Sequence, residues 1–236
     1  MNRVYLLNKG LLPYRDAWAL QKKIFEFVTE NRDTHFLILT EHDPVITIGK
    51  TGSRQNLLAN PEYLKEQKID LVEIDRGGDI TFHGPGQVVG YPILDLISFR
   101  KDVHWYLRML EEVMIGTLKK FDITANRIAG LTGVWVGNTK ICAMGIKVTR
   151  WITMHGFALN VNTDLNYFQH IIPCGINDRG VTSISKLVGN NVDINHVIKE
   201  LVGQFEQVFE VTCRSAPQLF EKTKTSPRKS QELKNE

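Results

Sequence analysis

The twelve residues Arg76-Gly77-Gly78-Asp79-Ile80-Thr81-Phe82-His83-Gly84-Pro85-Gly86-Gln87 are where this sequence gathers side chains that do chemistry. Their glycines let a backbone lie close to a ligand and take positive φ. They are not a phosphate loop: no Gly-Lys-Ser/Thr follows, and Gly84, Gly86 and Gly90 miss G-x-G-x-x-G by one position. Composition alone leaves a tight turn between strands or a binding loop. Arg76, Asp79 and His83 within eight residues favour the loop.

The second group is built on sulfur. Of the cysteines at 142, 174 and 213, Cys142 lies in an apolar strand and Cys213 has nothing near it in sequence to activate a thiolate. Cys174 stands between Pro173 and Gly175, a turn that can present a nucleophile, although a lone cysteine is commonly just a small buried hydrophobe. A thiol of pKa near ~8.5 needs a base or a cation beside it. Lys140, Lys147, His83 and His155 are candidates, and sequence distance does not select among them. Lys140 also reads as a solvated charge at a strand end, and His155 as a hydrogen-bonded structural histidine. No C-x-x-C occurs, which argues against a cysteine zinc site or a disulfide scaffold.

These residues need elements to hold them. Apolar residues at helical spacing predict a helix over Asp16–Glu30 and a longer one capped by Asp102. A last helix is capped by Asp193, and Asn60-Pro61 opens a short one. Phe36–Thr40, Val45–Ile48, Leu71–Asp75, Val88–Leu96 and Phe157–Val161 read as strands, and Gly137-Asn138-Thr139 joins two more in a hairpin. Strands and helices without strict alternation predict an α+β domain with a mixed β-sheet flanked by helices. Residues 1–215 are expected to form one domain, and 216–236, polar and poor in large apolar residues, a disordered tail.

The chain has 236 residues, 42% hydrophobic and 23% charged, with net charge +3. That composition excludes disordered, collagenous and low-complexity classes, and no apolar run is long enough for a membrane span. The charge is too small and too dispersed for a dedicated nucleic-acid binder. Met1–Gly10 has no signal-peptide character, so a reducing, cytoplasmic location is expected.

Several segments together resemble the lipoyl(octanoyl) transferases. They are Glu41-His42-Asp43-Pro44-Val45-Ile46-Thr47-Ile48-Gly49, the glycine-rich twelve, Thr132-Gly133-Val134-Trp135, KICAMGIK at 140–147, HGFALNV at 155–161 and Pro173-Cys174-Gly175-Ile176. The resemblance covers residues 4 to 210 and implies a fold like the catalytic domain of biotin and lipoate protein ligases. It also implies a catalytic dyad of Cys174 and Lys140, with Lys140 rather than Lys147 heading the K-I-x-x-x-G segment. The implied substrate pocket is formed by Arg76, Gly77, Gly78, Asp79, Ile80, Thr81, Phe82 and His83, by Ala143, Met144 and Gly145, and by Gly156, Phe157 and Ala158.

The implied reaction carries octanoyl (or lipoyl) from acyl carrier protein to the lysine of a lipoyl domain through a cysteine thioester. It needs no ATP, metal or other cofactor. The implied acceptors are the lipoyl domains of 2-oxoacid dehydrogenase E2 subunits and the glycine cleavage H protein; nucleic acid and membrane are not expected partners. An ATP-dependent lipoate or biotin ligase and a non-catalytic acyl-binding protein are the competing readings.

Overall fold

The computed structural model describes residues 2–172, 179–217 and 220. Its larger sheet is built from β1 (Asn2–Leu11), β2 (His35–Glu41), β6 (Gln87–Ile93), β7 (Asn126–Ile128), β8 (Leu131–Val136), β9 (Thr139–Thr149), β10 (Ile152–Asn160) and β12 (Val211–Ser215). Among the described residues these run in the order β12-β1-β2-β6-β10-β9-β8-β7, and the short β11 (Gly180–Val181) pairs with β9. A smaller sheet runs β4 (Asp70–Glu73), β3 (Val45–Ile48), β5 (Ile80–His83). Parallel and antiparallel pairs occur in both sheets, so the expected mixed architecture is what the chain adopts.

Alternation along the strands divides the large sheet's core. Leu37, Leu39, Val88 and Leu159 face α3 (Val103–Lys119) and α5 (Ile194–Phe209), whereas Phe36, Ile38, Val89, Tyr91 and Ala158 face α1 (Tyr14–Glu30). Covered on both sides, β2, β6 and β10 are buried almost throughout, which is why they read as apolar runs. The helices begin where the sequence provides caps. Asn60, ahead of α2 (Pro61–Glu66), accepts from Tyr63 N–H, Asp102 from Trp105 N–H and Asp193 from Asn195 N–H.

Two sequence expectations are corrected. The glycine-rich stretch is not all loop: Ile80–His83 is a strand that pairs with β3. The strand expected from Phe157 begins at Ile152, after a two-residue connection in which Arg150 and Trp151 both take positive φ. A type I′ hairpin turn demands that conformation, but Arg-Trp does not advertise it. Within the stretch expected as a polar tail, two side chains are packed. Ala216 and Phe220 are buried, and the Phe220 ring meets Phe27 and Phe36 edge-on. The remainder of the expected tail, 218–219 and 221–236, lies outside the described residues.

β10 approaches β6 closely because of glycine. A Cβ at position 156 would stand 2.2 Å from the Gly90 carbonyl oxygen, whereas one at Gly203, within α5, would meet nothing within 4 Å. Gly156→Ala should therefore cost about 1–3 kcal/mol or more by overpacking. Gly203→Ala should instead stabilise by about 1 kcal/mol, raising Tm by roughly 2–4 °C. Thermal unfolding of the two variants checks this contrast of sign.

Candidate active site

The glycine-rich segment crosses the large sheet at β9. Gly77 N–H donates to the Ile146 carbonyl (2.8 Å), and the contact is possible because residue 145 is glycine: a Cβ there would lie 2.8 Å from Arg76 Cδ and 2.9 Å from Gly77 O. Arg76 turns inward and donates to Thr47 O and Thr47 Oγ1 (both 3.0 Å). Beneath this crossing is a slot with about 520 Å³ of empty space, its open mouth included. Arg76, Gly78, Asp79, Ile80, Thr81 and His83 line it from one side. Ala143, Met144, Gly145, Gly156, Phe157 and Ala158 line it from β9 and β10. Gly77 borders an adjoining cavity. Phe82 is the exception. Its ring points away from the slot, stacks on Tyr167 (4.6 Å between centroids) and packs edge-on against Phe168.

Lys140 is buried at one end of this system. It lines a small cavity with Gln87, Asn160, Phe168 and Val181, and that cavity shares Thr81, Ala143 and Ala158 with the slot. Its ammonium stands 4.8 Å over the Trp135 ring, a cation–π contact. The β8–β9 register shifts between Val134 and Trp135, placing Trp135 opposite Lys140. Behind it lies a charge the sequence reading missed. Fully buried Glu111 accepts from Arg108 (2.6 Å), from Arg127 (3.0 Å) and from Gly133 N–H (3.1 Å). Gly133, with φ +116°, packs beside the Lys140 side chain, so the carboxylate fixes the strand against which that lysine lies.

Cys174 and its neighbours 173–178 lie outside the described residues; the chain on both sides is well tied. Ile172 N–H donates to Asn56 O (2.8 Å), and the Asn56 side chain donates to Asp79. On the far side Arg179 stands over the same Trp135 ring, Val181 is in register with Lys140, and Thr182 N–H donates to Lys140 O (2.9 Å). The other cysteines are poor nucleophiles. Burial pushes the Cys142 thiol far above its ordinary range and Cys213 up to about 12, Glu206 adding to the latter.

The candidate bases separate by partner. Lys147 (2.6 Å) and His155 Nε2 (2.8 Å) both donate to Asp75. Burial opposes ionisation of Asp75, but these two donors hold its pKa down at about 2. His83 Nδ1 meets Gln87 Oε1 at 2.7 Å, while Gln87 Nε2 donates to Phe82 O and Asn160 Oδ1. Gln87 therefore accepts, the imidazole proton is on Nδ1, and His83 Nε2 carries the lone pair. His42 is fixed likewise: Nδ1–H donates to Leu12 O, so Nε2 accepts from the Tyr91 hydroxyl, each at 2.6 Å. Burial depresses His42 and His155 to about 4 and His83 to about 3, with His42 adding to the last. All three are neutral, so the cations at the slot are Arg76 in its wall, turned onto Thr47, and Lys140 in the adjoining cavity.

The sequence and the fold have counterparts in known proteins. Residues 13–206 match the lipoyl protein ligase A/B catalytic domain family. The chain belongs to that family. It is 50% identical over 212 residues to an octanoyltransferase of Caldanaerobacter subterraneus subsp. tengcongensis, covering 89% of this chain and 92% of that one. A Cytophaga hutchinsonii octanoyltransferase is 46% identical over 235 residues, covering 90% and 96%. A putative lipoate protein ligase from T. acidophilum with bound lipoic acid superposes with a TM-score of 0.74 at 19% identity, covering 91% of this chain and 88% of that one. Lipoate-protein ligase A bound with ATP reaches 0.76 at 20%, with the same coverage. These two show the shared fold. The expected resemblance to octanoyltransferases is borne out.

Sequence reasoning missed Tyr14, Asp75 and Tyr91 as members of the site; His42 lay unremarked within a quoted segment. Among the described residues no group of three or more His, Cys, Asp or Glu could hold a metal, and no helix is long and apolar enough to cross a membrane.

Neutral buried histidines carry a pH signature. Unfolded, each titrates near 6.5; folded, His42, His83 and His155 titrate at about 4, 3 and 4. Below pH 6.5 the unfolded chain binds the extra protons, so stability is full above that value and is lost as pH falls. At pH 5 each histidine should remove up to about 2 kcal/mol. Urea unfolding between pH 7 and 5 measures the drop; a flat profile would show that they protonate within the fold.

Proposed function

We propose that this member of the family is an ATP-independent octanoyltransferase that works through Cys174 and Lys140. It moves an octanoyl (or lipoyl) group from acyl carrier protein to a lysine of a lipoyl domain, in protein lipoylation. The observation that carries the reading is a narrow, largely apolar slot running from the Lys140 cavity between β9 and β10. The octanoyltransferase relatives favour this chemistry over that of a ligase, and the chain that follows the Cys174 segment is tied at Lys140, Arg179 over the shared Trp135 ring and Thr182 N–H on Lys140 O.

In the first step the Cys174 thiolate attacks the carrier thioester. The carbon–sulfur bond to the carrier breaks, and the carrier leaves as its thiol with the proton that Cys174 gave up. In the second step the acceptor lysine amine attacks the enzyme thioester, forms an amide and returns a proton to Cys174. Exchange between thioesters is nearly balanced and thioester to amide is downhill, so no nucleotide is required. Lys140 stabilises the thiolate and relays these protons. Six or seven methylenes in the slot supply on the order of 5 kcal/mol of binding.

The acceptors are the lipoyl domains of 2-oxoacid dehydrogenase E2 subunits and the glycine cleavage H protein. The acidic carrier suits the net positive charge of the chain. The protein acts as a single catalytic domain in the cytoplasm, and residues 222–236 are dispensable for catalysis.

The test is octanoyl transfer from carrier to apo lipoyl domain without ATP. Wild-type protein should turn over and gain an octanoyl adduct by denaturing mass spectrometry, and Cys142→Ala should keep both. Cys174→Ala should lose both, and Lys140→Ala should lose at least 100-fold in kcat/KM, with slower thiol alkylation at neutral pH that recovers as pH rises. Transfer that depends on ATP, or an adduct that persists in Cys174→Ala, would overturn the proposal.

A further inference from the structure

The end of the slot away from Lys140 is polar. Register fixes the direction. Gln87 pairs with Asn160 beside Lys140; the next row on this face of the sheet is Val89, Ala158 and Ala143; the one after is Gly156 and Gly145, near Tyr91. At about 3.3 Å per residue, the four residues from Asn160 to Gly156 span roughly 13 Å. An extended eight-carbon chain, at about 1.25 Å per carbon, spans about 9 Å. Its last carbon therefore falls between the Val89 and Gly156 rows, within the slot that Tyr14, Tyr91, Arg76 and His83 line.

Most polar groups there are engaged. The Tyr91 hydroxyl donates to His42, and Arg76 is held by Thr47 and Gly77 O. Two are not. The Tyr14 hydroxyl and His83 Nε2 have no hydrogen-bond partner among the described residues, although both side chains are more than nine-tenths buried and both line the slot. Their rings lie nearly parallel, 5.8 Å apart. One is a donor: burial raises the Tyr14 pKa, so the phenol keeps its proton. The other is an acceptor, because the His83 proton is committed to Gln87 on Nδ1. A methyl terminus satisfies neither. A hydroxyl satisfies both, accepting from Tyr14 and donating to His83.

We propose that Tyr14 and His83 form a hydroxyl-recognising subsite at the end of the slot, so that the protein also transfers medium-chain acyl groups ending in an ω-hydroxyl. The inference rests on the octanoyl-transfer reading, and the ω-hydroxyacyl group passes from carrier to lysine by the same two steps. The apolar alternative predicts the opposite preference, because a hydroxyl without partners pays its full desolvation.

Nonanoyl and 8-hydroxyoctanoyl have equal numbers of heavy atoms and differ only in methyl against hydroxyl. With carrier-bound donors, wild-type kcat/KM for 8-hydroxyoctanoyl should equal or exceed that for nonanoyl. Tyr14→Phe should lower that ratio at least fivefold. A wild-type preference for nonanoyl, or a ratio that Tyr14→Phe changes by less than fivefold, would overturn the subsite. The wild-type comparison stands even if the variant fails to fold. Octanoyl carrier, assayed in parallel, separates the two failures: no octanoyl transfer condemns the functional reading itself, whereas octanoyl transfer with rejection of the hydroxyl condemns only the subsite.

Discussion

One backbone contact organises this protein: Gly77 N–H on the Ile146 carbonyl, where the glycine-rich segment lies across β9. Any side chain at Gly145 would push the two apart. With them in contact, Arg76 points in toward Thr47, Asp75 meets Lys147 and His155, and Asp79 reaches Asn56 and Ser53. The slot is the space enclosed by that crossing, so its shape depends more on close backbone approach than on the bulk of any side chain. The glycines at 145 and 156 are therefore structural requirements of a binding surface.

Electrostatics follow from the same enclosure. Burial strips His42, His83 and His155 of their charge, and each has its proton fixed on one nitrogen by a neighbouring acceptor. A slot walled by neutral imidazoles and small apolar groups suits an acyl chain. Two charged side chains do line it, Arg76 turned onto Thr47 and Asp79 engaged by Asn56 and Ser53. The others stand at its margins: Lys140 at one end, Asp75 with Lys147 at the side, and Glu111 with its arginines behind β8. Glu111 is costly to bury alone; two guanidinium groups and a backbone N–H offset that cost.

Much of this was legible in the chain. Helical periodicity and the caps Asn60, Asp102 and Asp193 located three helices, because these signals are local. The candidate pocket residues other than Phe82 come together around the slot or the cavity beside it. Phe82 turns away from the slot because strand alternation within Ile80–His83 sends every second side chain to the other face, a pattern that a stretch read as loop does not reveal. Tyr14 and Asp75 could not be found at all. Tyr14 reaches the site across more than sixty positions of sequence from a helix end. Asp75, although it adjoins Arg76, meets Lys147 and His155 across 72 and 80 positions, in an ion pair that only the tertiary fold creates. The choice of Lys140 over Lys147 came from family likeness; in the fold Lys147 is ion-paired with Asp75 and Lys140 lies over the Trp135 ring, contacts that no sequence spacing announces.

The central claim is that the acyl chain lies along β9 and β10 between Lys140 and Tyr14. Ala143 borders both the slot and the Lys140 cavity, so enlarging it shortens the path. The most direct measurement is kcat/KM for carrier-bound acyl groups from four to twelve carbons, in wild-type protein and in Ala143→Leu. Wild type should peak at eight carbons, and Ala143→Leu should move the peak to shorter chains with at least a tenfold loss on octanoyl. An unchanged optimum and rate in Ala143→Leu would place the acyl chain elsewhere and contradict the account.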